Sequence, residues 1–529
     1  MRILVTEKLG QAGLDLLQEQ FTVDQRLGLS PQELVDAMPE YDALVVRSKT
    51  KVTADVLQAG TQLICVGRAG TGVDNIDLDT ATKLGIAVVN APTGNSNAVA
   101  EQTLALMLAM ARNVYPAVAS MKAGRWEKSA LQGTEVKGKT LGLVGLGRIG
   151  RMVASKARGL EMEIIAFDPY ASQESAASLG VDLLTLDEVL SEADYVSIHS
   201  PLTPQTRGMI GPEQLALLKP TARIINCARG GIIDEKALKA VLAEDRIAGA
   251  ALDVFGKEPV DDMELVSQSR LLATPHLGAS TVEAQTQVAI DVCRAVVDVL
   301  QGHLPQTPVN VPYMAPQAAE FLAPYIDLAQ RMGAFFIQWR GRLHGRLELT
   351  YEGDMCDYDT RLLTSAFLAG LLTHISDEHI NVVNAAHLAR ERGLVTSTMC
   401  RDQQSVFGNV IRARFPDAEE DLSIAGTLVY GEPHIIELDG QRLNCVIQGA
   451  MIVDLHDDCP GIVGPMGSIL GRAGINISFV QMGRVTRGGP SIMILALDEP
   501  APEDLLPEFL AVPHVRRVRR VHLPHYETN

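Results

Sequence analysis

The feature that most constrains the fold of this 529-residue chain is a strand, a glycine-rich turn and a helix within residues 140–150. An apolar run at residues 141–144 leads into Gly145, Gly147 and Gly150, which have the spacing Gly-x-Gly-x-x-Gly. The first glycine permits a tight turn, the second lets a pyrophosphate approach the backbone, and the third lets the helix pack close to the strand. The segment predicts a parallel α/β sheet that binds a dinucleotide at a helix N-terminus.

The residue after the next predicted strand indicates which dinucleotide is bound. That strand, residues 164–167, ends at Asp168, about 20 residues beyond the glycine turn. A carboxylate at this position accepts a hydrogen bond from a ribose 2′-hydroxyl and repels a 2′-phosphate. No basic residue follows in Pro169-Tyr170, so the sequence predicts NAD rather than NADP, with Arg148 and Ile149 at the start of the binding helix.

Hydrophobic periodicity predicts two series of strands that alternate with helices. The strands of the first series are predicted at residues 2–6, 43–46, 63–66 and 86–89, and those of the second at 141–144, 164–167, 195–198, 223–226, 249–252 and 271–273. Strands that alternate with helices form parallel sheets. We therefore expect an α/β protein with two Rossmann-like, doubly wound lobes, with an apolar helix at 97–111 suited to the seam between them and a second helix at 281–301.

The pattern changes after a proline-rich linker at residues 304–316. A helix at 319–339, an alternating strand around residue 349 and a hairpin turn at Asp439-Gly440 predict an intervening α+β domain. The last 75 residues read strand, helix, strand, strand, helix, strand, a βαββαβ order. The predicted domains are residues 1–96 with 282–312, 97–281, 317–446 and 449–529.

Charge and composition argue against several classes of partner. The formal net charge is −18, which opposes general attraction to nucleic acid or anionic lipid. The cations of Arg516, Arg517, Arg519 and Arg520 alternate with valines, as expected for an exposed edge strand. No apolar run nears the roughly 20 residues of a membrane span, there is no signal-peptide pattern, and the seven cysteines form no CxxC pair. We predict a cytoplasmic protein without membrane, nucleic-acid or metal partners.

Three polar residues follow later strands of the second series, where strand ends line a cofactor crevice. His276 suits proton transfer to and from a hydroxyl group, because imidazole titrates near neutral pH. Glu258 can hold that imidazole in one tautomer, and Arg229 can polarise a carbonyl and bind an adjacent carboxylate. Each of these residues taken singly is more typical of a structural histidine or a surface ion pair.

Around these residues the sequence resembles the D-isomer-specific 2-hydroxyacid dehydrogenases. The resemblance lies in residues 227–234, 251–255, 258–259 and 275–281. It implies that Arg229, Glu258 and His276 are the catalytic trio, and that the first lobe binds substrate. It also implies a homodimer through the nucleotide lobes and a cofactor site that includes Thr71, Ser200, Cys227, Ala228, Arg229, Asp253, His276, Gly278 and Ala279.

Within that family, residues 46–48, 68–77 and 90–96 are most similar to members that act on a phosphorylated acid. Arg47 and Ser48 follow an apolar strand and are predicted to bind substrate, as are Asn95, Ser96, Arg229 and His276. Lys49 and Lys51 either add to this cationic cluster or only solvate a loop.

The C-terminal half resembles regulatory parts of long family members. Its last segment is similar to an ACT domain, an amino-acid-binding module, and matching positions imply that His456, Asp458 and Asn476 bind L-serine at a domain–domain interface. A Pro-Gly helix cap is the alternative interpretation of the segment at Asp458. The tail also implies extension of the dimer to a homotetramer.

The resemblance implies NAD-dependent oxidation of 3-phospho-D-glycerate, the entry step of phosphorylated serine synthesis. One alternative keeps the enzyme class and changes the acid to glyoxylate, hydroxypyruvate or 2-oxoglutarate. Another is a non-catalytic NAD-sensing scaffold of the kind found among transcriptional corepressors with this fold.

Overall fold

The computed structural model describes residues 1–341, 345–376, 379–401, 406–417 and 422–525. In this part of the chain the strands form four sheets, of five, seven, six and four strands. The first two sheets are entirely parallel and carry helices on both faces. The α/β part of the predicted fold class is therefore confirmed.

The first lobe is built on a five-stranded parallel sheet in the order β2-β1-β3-β4-β5. Its strands are β1 (Arg2–Val5), β2 (Thr22–Gln25), β3 (Ala43–Val46), β4 (Cys65–Arg68) and β5 (Ala87–Asn90), and its helices are α1 (Gln11–Gln18), α2 (Pro31–Ala37), α3 (Ala54–Ala59) and α4 (Leu78–Lys83). Strand β4 begins two residues later than predicted, because Leu63 still belongs to the preceding turn, where its N–H donates to Gly60. Apolar clusters cover both faces of the sheet.

The second lobe has a seven-stranded parallel sheet in the order β12-β11-β10-β9-β6-β7-β8. Its strands are β6 (Thr140–Val144), β7 (Glu163–Phe167), β8 (Asp182–Leu183), β9 (Tyr195–Ile198), β10 (Arg223–Asn226), β11 (Gly249–Leu252) and β12 (Leu271–Ala273). Its helices are α5 (Ser96–Ala111), α6 (Val114–Lys122), α7 (Arg148–Arg158), α8 (Gln173–Ser178), α9 (Leu186–Glu192), α10 (Pro212–Leu217), α11 (Glu235–Ala243) and α12 (Met263–Val266). The sequence pattern missed β8, because two residues carry no measurable periodicity.

Helix α13 (Val282–Leu300) leaves the second lobe and packs on the first. Two glycines make this packing close: a Cβ at Gly67 would lie 2.6 Å from a Val296 methyl, and one at Gly13 would lie 2.7 Å from the Ala289 carbonyl oxygen. The linker that follows runs beside β5, where the Val88 N–H donates to Oδ1 of Asn310 over 2.8 Å. The chain thus crosses to the second lobe once and returns.

The third unit combines a six-stranded sheet with long apolar helices. Its strands, in the order β14-β13-β15-β16-β17-β18, are β13 (Gly345–Glu352), β14 (Leu394–Arg401), β15 (Val410–Phe415), β16 (Leu422–Val429), β17 (Glu432–Leu438) and β18 (Gln441–Val446), and its helices are α14 (Pro316–Arg340), α15 (Arg361–Thr373) and α16 (Ala385–Glu391). Helices α14 and α15 touch through backbone. A Cβ at Gly333 would lie 2.1 Å from the Phe367 oxygen, and one at Gly370 would lie 1.9 Å from the Gln330 oxygen.

The last unit has the βαββαβ order. Its elements are β19 (Gly449–Asp457), α17 (Val463–Arg472), β20 (Ile477–Arg484), β21 (Pro490–Leu497), α18 (Leu506–Leu510) and β22 (Val515–Leu523), and the antiparallel sheet has the order β20-β21-β19-β22. Strand β22 is an edge strand, as its alternating arginines predict. Ala450 and Ile452 face the helices of this unit, whereas Met451 and Val453 belong to the core of the third unit, so one face of this sheet completes the core of the third unit.

The third unit contacts the first lobe through the side-chain amides of two asparagines. Nδ2 of Asn381 donates to the Gly85 oxygen over 2.8 Å, and Nδ2 of Asn384 donates to the Lys83 oxygen over 3.4 Å. Both acceptors lie at the C-terminal end of α4, where the last carbonyls of a helix lack partners within the helix. The third unit is therefore hydrogen-bonded to the first lobe.

In the ranges described above, no single helix has the length and apolar character of a membrane span. Helices α5 and α6 together meet the length and composition of one, as a pair bent by 64°.

Candidate active site

The glycine turn leaves an open pocket at the start of α7. Gly145 has φ +105°, and a Cβ there would lie 2.9 Å from Oγ of Ser200. A Cβ at Gly150 would lie 2.3 Å from the Gly145 oxygen, whereas one at Gly147 would have no atom within 4 Å. No side chain caps the helix start at Gly147. Free N–H groups therefore face open space, which fits the pyrophosphate of a dinucleotide.

Asp168 lies beside this turn, as expected for a residue that contacts a ribose. Its Oδ2 accepts the Leu146 N–H over 2.7 Å and its Oδ1 accepts the Tyr170 N–H over 2.9 Å, so the carboxylate is fixed. Each oxygen retains a second lone pair for a 2′-hydroxyl. The side chain of Arg148 instead reaches the Pro92 oxygen over 2.7 Å, and half-buried Ile149 lies within the first turn of α7. The residues present fit NAD.

Glu258 and His276 are in direct contact. Nδ1 of His276 lies 2.7 Å from Oε2 of Glu258, and Oε1 accepts the Phe255 N–H over 3.1 Å. Burial raises the pKa of Glu258, but the hydrogen bonds from His276 and Phe255 outweigh it, and the net pKa is lowered. The carboxylate is therefore charged at neutral pH and holds the proton of His276 on Nδ1, which leaves Nε2 as the basic nitrogen.

Asp253 holds the loop that carries His276. It is fully buried, and its carboxylate accepts the N–H groups of Leu277 (2.7 Å) and Gly278 (2.8 Å) and the hydroxyl of Thr274 (2.5 Å). His276 has φ +56°, a left-handed conformation that non-glycine residues seldom adopt and that surrounding structure must support. These bonds to Asp253 supply that support; the predicted place of Asp253 in the cofactor site stays a prediction.

Arg229 reaches from the second lobe across the cleft to the first. Its Nε lies 3.2 Å from Oδ2 of Asp74, and a Cβ at Gly72 would lie 1.9 Å from its Nη2. Asn226, which is 2% exposed, fixes the loop by donating to the Arg229 oxygen over 2.8 Å and by accepting the Ala228 N–H over 3.0 Å. The guanidinium therefore lies between the lobes, at the cleft where substrate binding is predicted.

Arg68 is a candidate site residue that the sequence motifs did not single out. Its guanidinium lies over Gly70, where a Cβ would be 1.6 Å from Nη1, and its Nε is buried with no hydrogen-bond partner among the described residues. Burial, and after it the positive charge of Arg229, lowers the pKa of Arg68 to about 10. Two cations held this close favour an anion between them. Residues 68–77 resemble family members that act on a phosphorylated acid, but hydrophobic periodicity ends the predicted strand at residue 66 and therefore indicates no role for the Arg68 side chain.

The other predicted substrate residues lie after β3 of the first lobe and at the start of α5. Nη1 of Arg47 donates to the Lys8 oxygen over 3.0 Å, and Ser48 is exposed beside it. Asn95 accepts the hydroxyl of Thr71 over 2.8 Å, and buried Ser96 has an Oγ without a hydrogen-bond partner within the described residues. The unsatisfied hydroxyl at the start of α5 is suited to a polar ligand.

The remaining predicted cofactor residues follow strands of the second lobe, and their contact with a cofactor stays a prediction. Oγ of Ser200 donates to the Val144 oxygen over 3.0 Å. Cys227 and Ala228 follow β10, and Gly278 and Ala279 follow His276. Burial raises the pKa of the Cys227 thiol to about 12, so it stays protonated and acts as a small apolar contact.

The three residues predicted to bind L-serine do not meet within one chain. His456 is fully buried, with Nδ1 2.6 Å from Oδ1 of Asp454. Asp458 follows the end of β19, where it pairs with Arg484 over 2.7 Å, whereas Asn476 precedes β20 at the opposite end of the sheet and bonds Asp498. Strand rise places the two ends roughly 23 Å apart. Only residues from two copies could join them.

Two family models match parts of this chain. Residues 104–278 match the model of the D-isomer specific 2-hydroxyacid dehydrogenase NAD binding domain, and residues 321–439 match that of the D-3-phosphoglycerate dehydrogenase intervening domain. The first match spans the glycine turn, Arg229, Glu258 and His276.

Whole-chain relatives and a solved structure extend the likeness. The chain is 44% identical to D-3-phosphoglycerate dehydrogenase of Synechocystis, over 99% of this chain and 95% of the relative. It is 41% identical to that of Methanocaldococcus jannaschii, over 99% and 100%. The structure of D-lactate dehydrogenase from Aquifex aeolicus with NAD and lactic acid covers 59% of this chain and all of its own, with 25% identity and a TM-score of 0.54.

Proposed function

Because this chain belongs to the D-3-phosphoglycerate dehydrogenases, within the D-isomer-specific 2-hydroxyacid dehydrogenase family, we propose that it oxidises 3-phospho-D-glycerate to 3-phosphohydroxypyruvate with NAD. This reaction is the first step of phosphorylated L-serine synthesis. The observation that carries the proposal is the 2.7 Å contact between His276 and Glu258 at the cleft that Arg229 spans.

The trio divides the work at the C2 carbon. Arg229 exchanges its contact with Asp74 for one with the substrate carboxylate. In that position it also orients the adjacent C2 oxygen. Nε2 of His276 takes the C2 hydroxyl proton, and Glu258 stabilises the resulting imidazolium through Nδ1. Bound NAD supplies the hydride acceptor.

The arginines of the first lobe account for the phosphate. Arg47 follows β3 and Arg68 ends β4, its neighbour in the sheet, and parallel strands bring these ends together. A dianionic phosphate is best held by guanidinium groups, which donate two parallel hydrogen bonds. We assign phosphate binding to Arg47 and Arg68, with Ser48, Asn95 and Ser96 as polar neighbours.

Steady-state kinetics test this function. The purified full chain is assayed with NAD and 3-phospho-D-glycerate, and the acids are compared in the reverse direction with NADH and 3-phosphohydroxypyruvate, glyoxylate, hydroxypyruvate or 2-oxoglutarate. We expect the highest kcat/KM with the phosphorylated acid; higher values with a plain acid would transfer the enzyme to another substrate. A His276→Ala variant that binds NAD but shows undiminished turnover would refute the mechanism, and a wild type without any turnover would favour an NAD-sensing scaffold.

We further propose that residues 449–529 form an ACT domain that binds L-serine and regulates the enzyme. Support comes from the βαββαβ order and from the start of α17, where no side chain caps the N–H groups after Gly461. Asp458 can hold an ammonium group and Asn476 can bond either end of an amino acid. Because these residues lie at opposite ends of the sheet, the site requires Asp458 of one copy and Asn476 of another.

Calorimetry tests the serine proposal. L-serine is titrated into wild type and into Asn476→Ala, with D-serine as the control ligand. We expect saturable binding in the wild type alone; equal binding in both, or none in either, would remove this site.

We also propose a cytoplasmic homodimer or homotetramer. The exposed apolar side chains on and after α6 support a dimer through the second lobe; they are Val114, Tyr115, Val118, Met121 and Trp126. Cys65, Cys227 and Cys293 are buried thiols without disulfide bonds, which suits a reducing compartment. Light scattering of the purified chain measures the oligomeric state.

A further inference from the structure

The carboxylate of Glu7 lies beneath the loop that carries Arg47. Glu7 follows β1 and the loop follows β3, which pairs with β1 in parallel. Oε1 of Glu7 accepts the N–H groups of Arg47 and Thr50, each over 2.9 Å. The Lys49 N–H is shared between Oε1 at 3.2 Å and Oε2 at 3.3 Å. One carboxylate therefore binds three backbone donors of a four-residue loop.

Asn75 holds the same loop from its carbonyl side. Its side chain is 8% exposed, and Nδ2 donates to the Arg47 oxygen over 2.8 Å and to the Thr50 oxygen over 2.7 Å. The hydroxyl of Thr50 also lies 2.9 Å from that of buried Thr6. With no regular secondary structure of its own, the loop depends on these distant side chains for its conformation.

Three backbone N–H groups that converge on one point form an anion-binding nest. In this structure Glu7 already fills the nest, so a substrate anion cannot use these donors and must be bound by side chains. The negative charge of Glu7 also raises the pKa of Arg68, whereas the positive charges of Arg229 and Arg47 lower it. Glu7 thus fixes the loop and offsets part of the positive charge around it.

We propose that Glu7 is a positioning residue for the substrate phosphate, acting through the backbone of residues 47–50 to hold Arg47 at the cleft. The inference rests on the proposed function, because it requires that Arg47 binds the phosphate of 3-phospho-D-glycerate. It assigns Glu7 no contact with substrate or cofactor. Its loss should therefore weaken phosphate recognition and leave the chemistry at C2 intact.

The test compares Glu7→Gln and Glu7→Asp with wild type on two substrates, 3-phospho-D-glycerate and D-glycerate. The glutamine is isosteric but has one acceptor oxygen and no charge. We therefore expect KM for the phosphorylated acid to rise about tenfold, which is roughly the effect of losing one charge-assisted hydrogen bond. We expect kcat, KM for NAD and kcat/KM for D-glycerate to stay within about twofold. The aspartate retains the charge and should recover part of the loss.

Glu19→Gln is the matched control, because it removes the same charge from an exposed position on the same lobe. A double variant with Arg47→Ala tests whether Glu7 acts through Arg47. In that background, Glu7→Gln should have little further effect on KM for 3-phospho-D-glycerate. Wild-type KM in Glu7→Gln, equal losses on both acids, or additive losses with Arg47→Ala would each overturn the inference. Absence of turnover with 3-phospho-D-glycerate in the wild type would instead overturn the proposed function itself, before any variant is compared.

Discussion

Oε2 of Glu258 and Nδ1 of His276 lie 2.7 Å apart, although 18 residues separate them in the sequence. Glu258 also accepts the Phe255 N–H, and its pKa is lowered despite burial, so the contact joins a fixed negative charge to the proposed base. This pair determines which nitrogen of His276 faces the substrate.

Glu258→Gln should lower kcat by on the order of 10²–10⁴-fold, because the amide neither enforces the tautomer nor stabilises an imidazolium. NAD affinity, measured by fluorescence titration, should be unchanged. Glu264→Gln, at an exposed carboxylate of the same lobe, is the control. A Glu258→Gln enzyme with kcat near wild type would mean that His276 does not rely on this carboxylate.

The lowered pKa of Arg68 predicts a pH dependence specific to the phosphorylated substrate. Its charge is complete well below pH 10 and is lost as the pH rises through about 10. The kcat/KM for 3-phospho-D-glycerate should therefore fall above that pH, whereas that for D-glycerate should lack this component.

Arg68→Ala should abolish the fall in kcat/KM for 3-phospho-D-glycerate at high pH, and it should raise KM for this acid by about 10- to 100-fold. If Arg68→Ala raised KM for 3-phospho-D-glycerate and for D-glycerate by the same factor, the assignment of Arg68 to the phosphate would be wrong.

Gly147 and Gly150 lie three residues apart in one turn and should respond oppositely to substitution. Gly147→Val places its side chain in open space, so the thermal midpoint should be preserved while KM for NAD rises at least tenfold. Gly150→Val would force a Cβ within 2.3 Å of the Gly145 oxygen, so the protein should lose stability. Equal melting temperatures for the two variants would show that the turn is looser than described.

The buried pair of Asp454 and His456 predicts a stability change with pH. Burial raises the pKa of Asp454 despite its bond to His456, and its Oδ2 has no hydrogen-bond partner within the described part of the chain. A raised carboxyl pKa means that Asp454 binds its proton more tightly in the folded state than in the unfolded state. The protonated carboxyl group therefore adds to the free energy of unfolding at low pH, and this contribution is lost as the pH rises past the ordinary carboxyl range.

Asp454→Asn should therefore melt at a higher temperature than wild type at pH 7–8 and close to it near pH 4, measured by scanning calorimetry. A variant less stable at every pH would mean that the charged pair stabilises the domain.

Local signals sufficed for much of the fold. The glycine turn, Asp168 and six of the seven strands of the second lobe were predicted, because strand and helix periods and glycine positions act over a few residues. Element ends shifted by one or two residues, as at Cys65, where turn hydrogen bonds rather than side-chain polarity set the strand start.

The sequence by itself determined the parallel α/β lobes, the preference for NAD and the candidate trio, because motif spacing and alternation encode them locally. Only the tertiary structure decided that Arg68 lies near Arg229 of the other lobe, that Glu7 holds the Arg47 loop, and that Asp458 and Asn476 lie at opposite ends of one sheet. These relationships join residues on different strands, and strand order and register arise from packing across the whole sheet rather than from neighbouring residues.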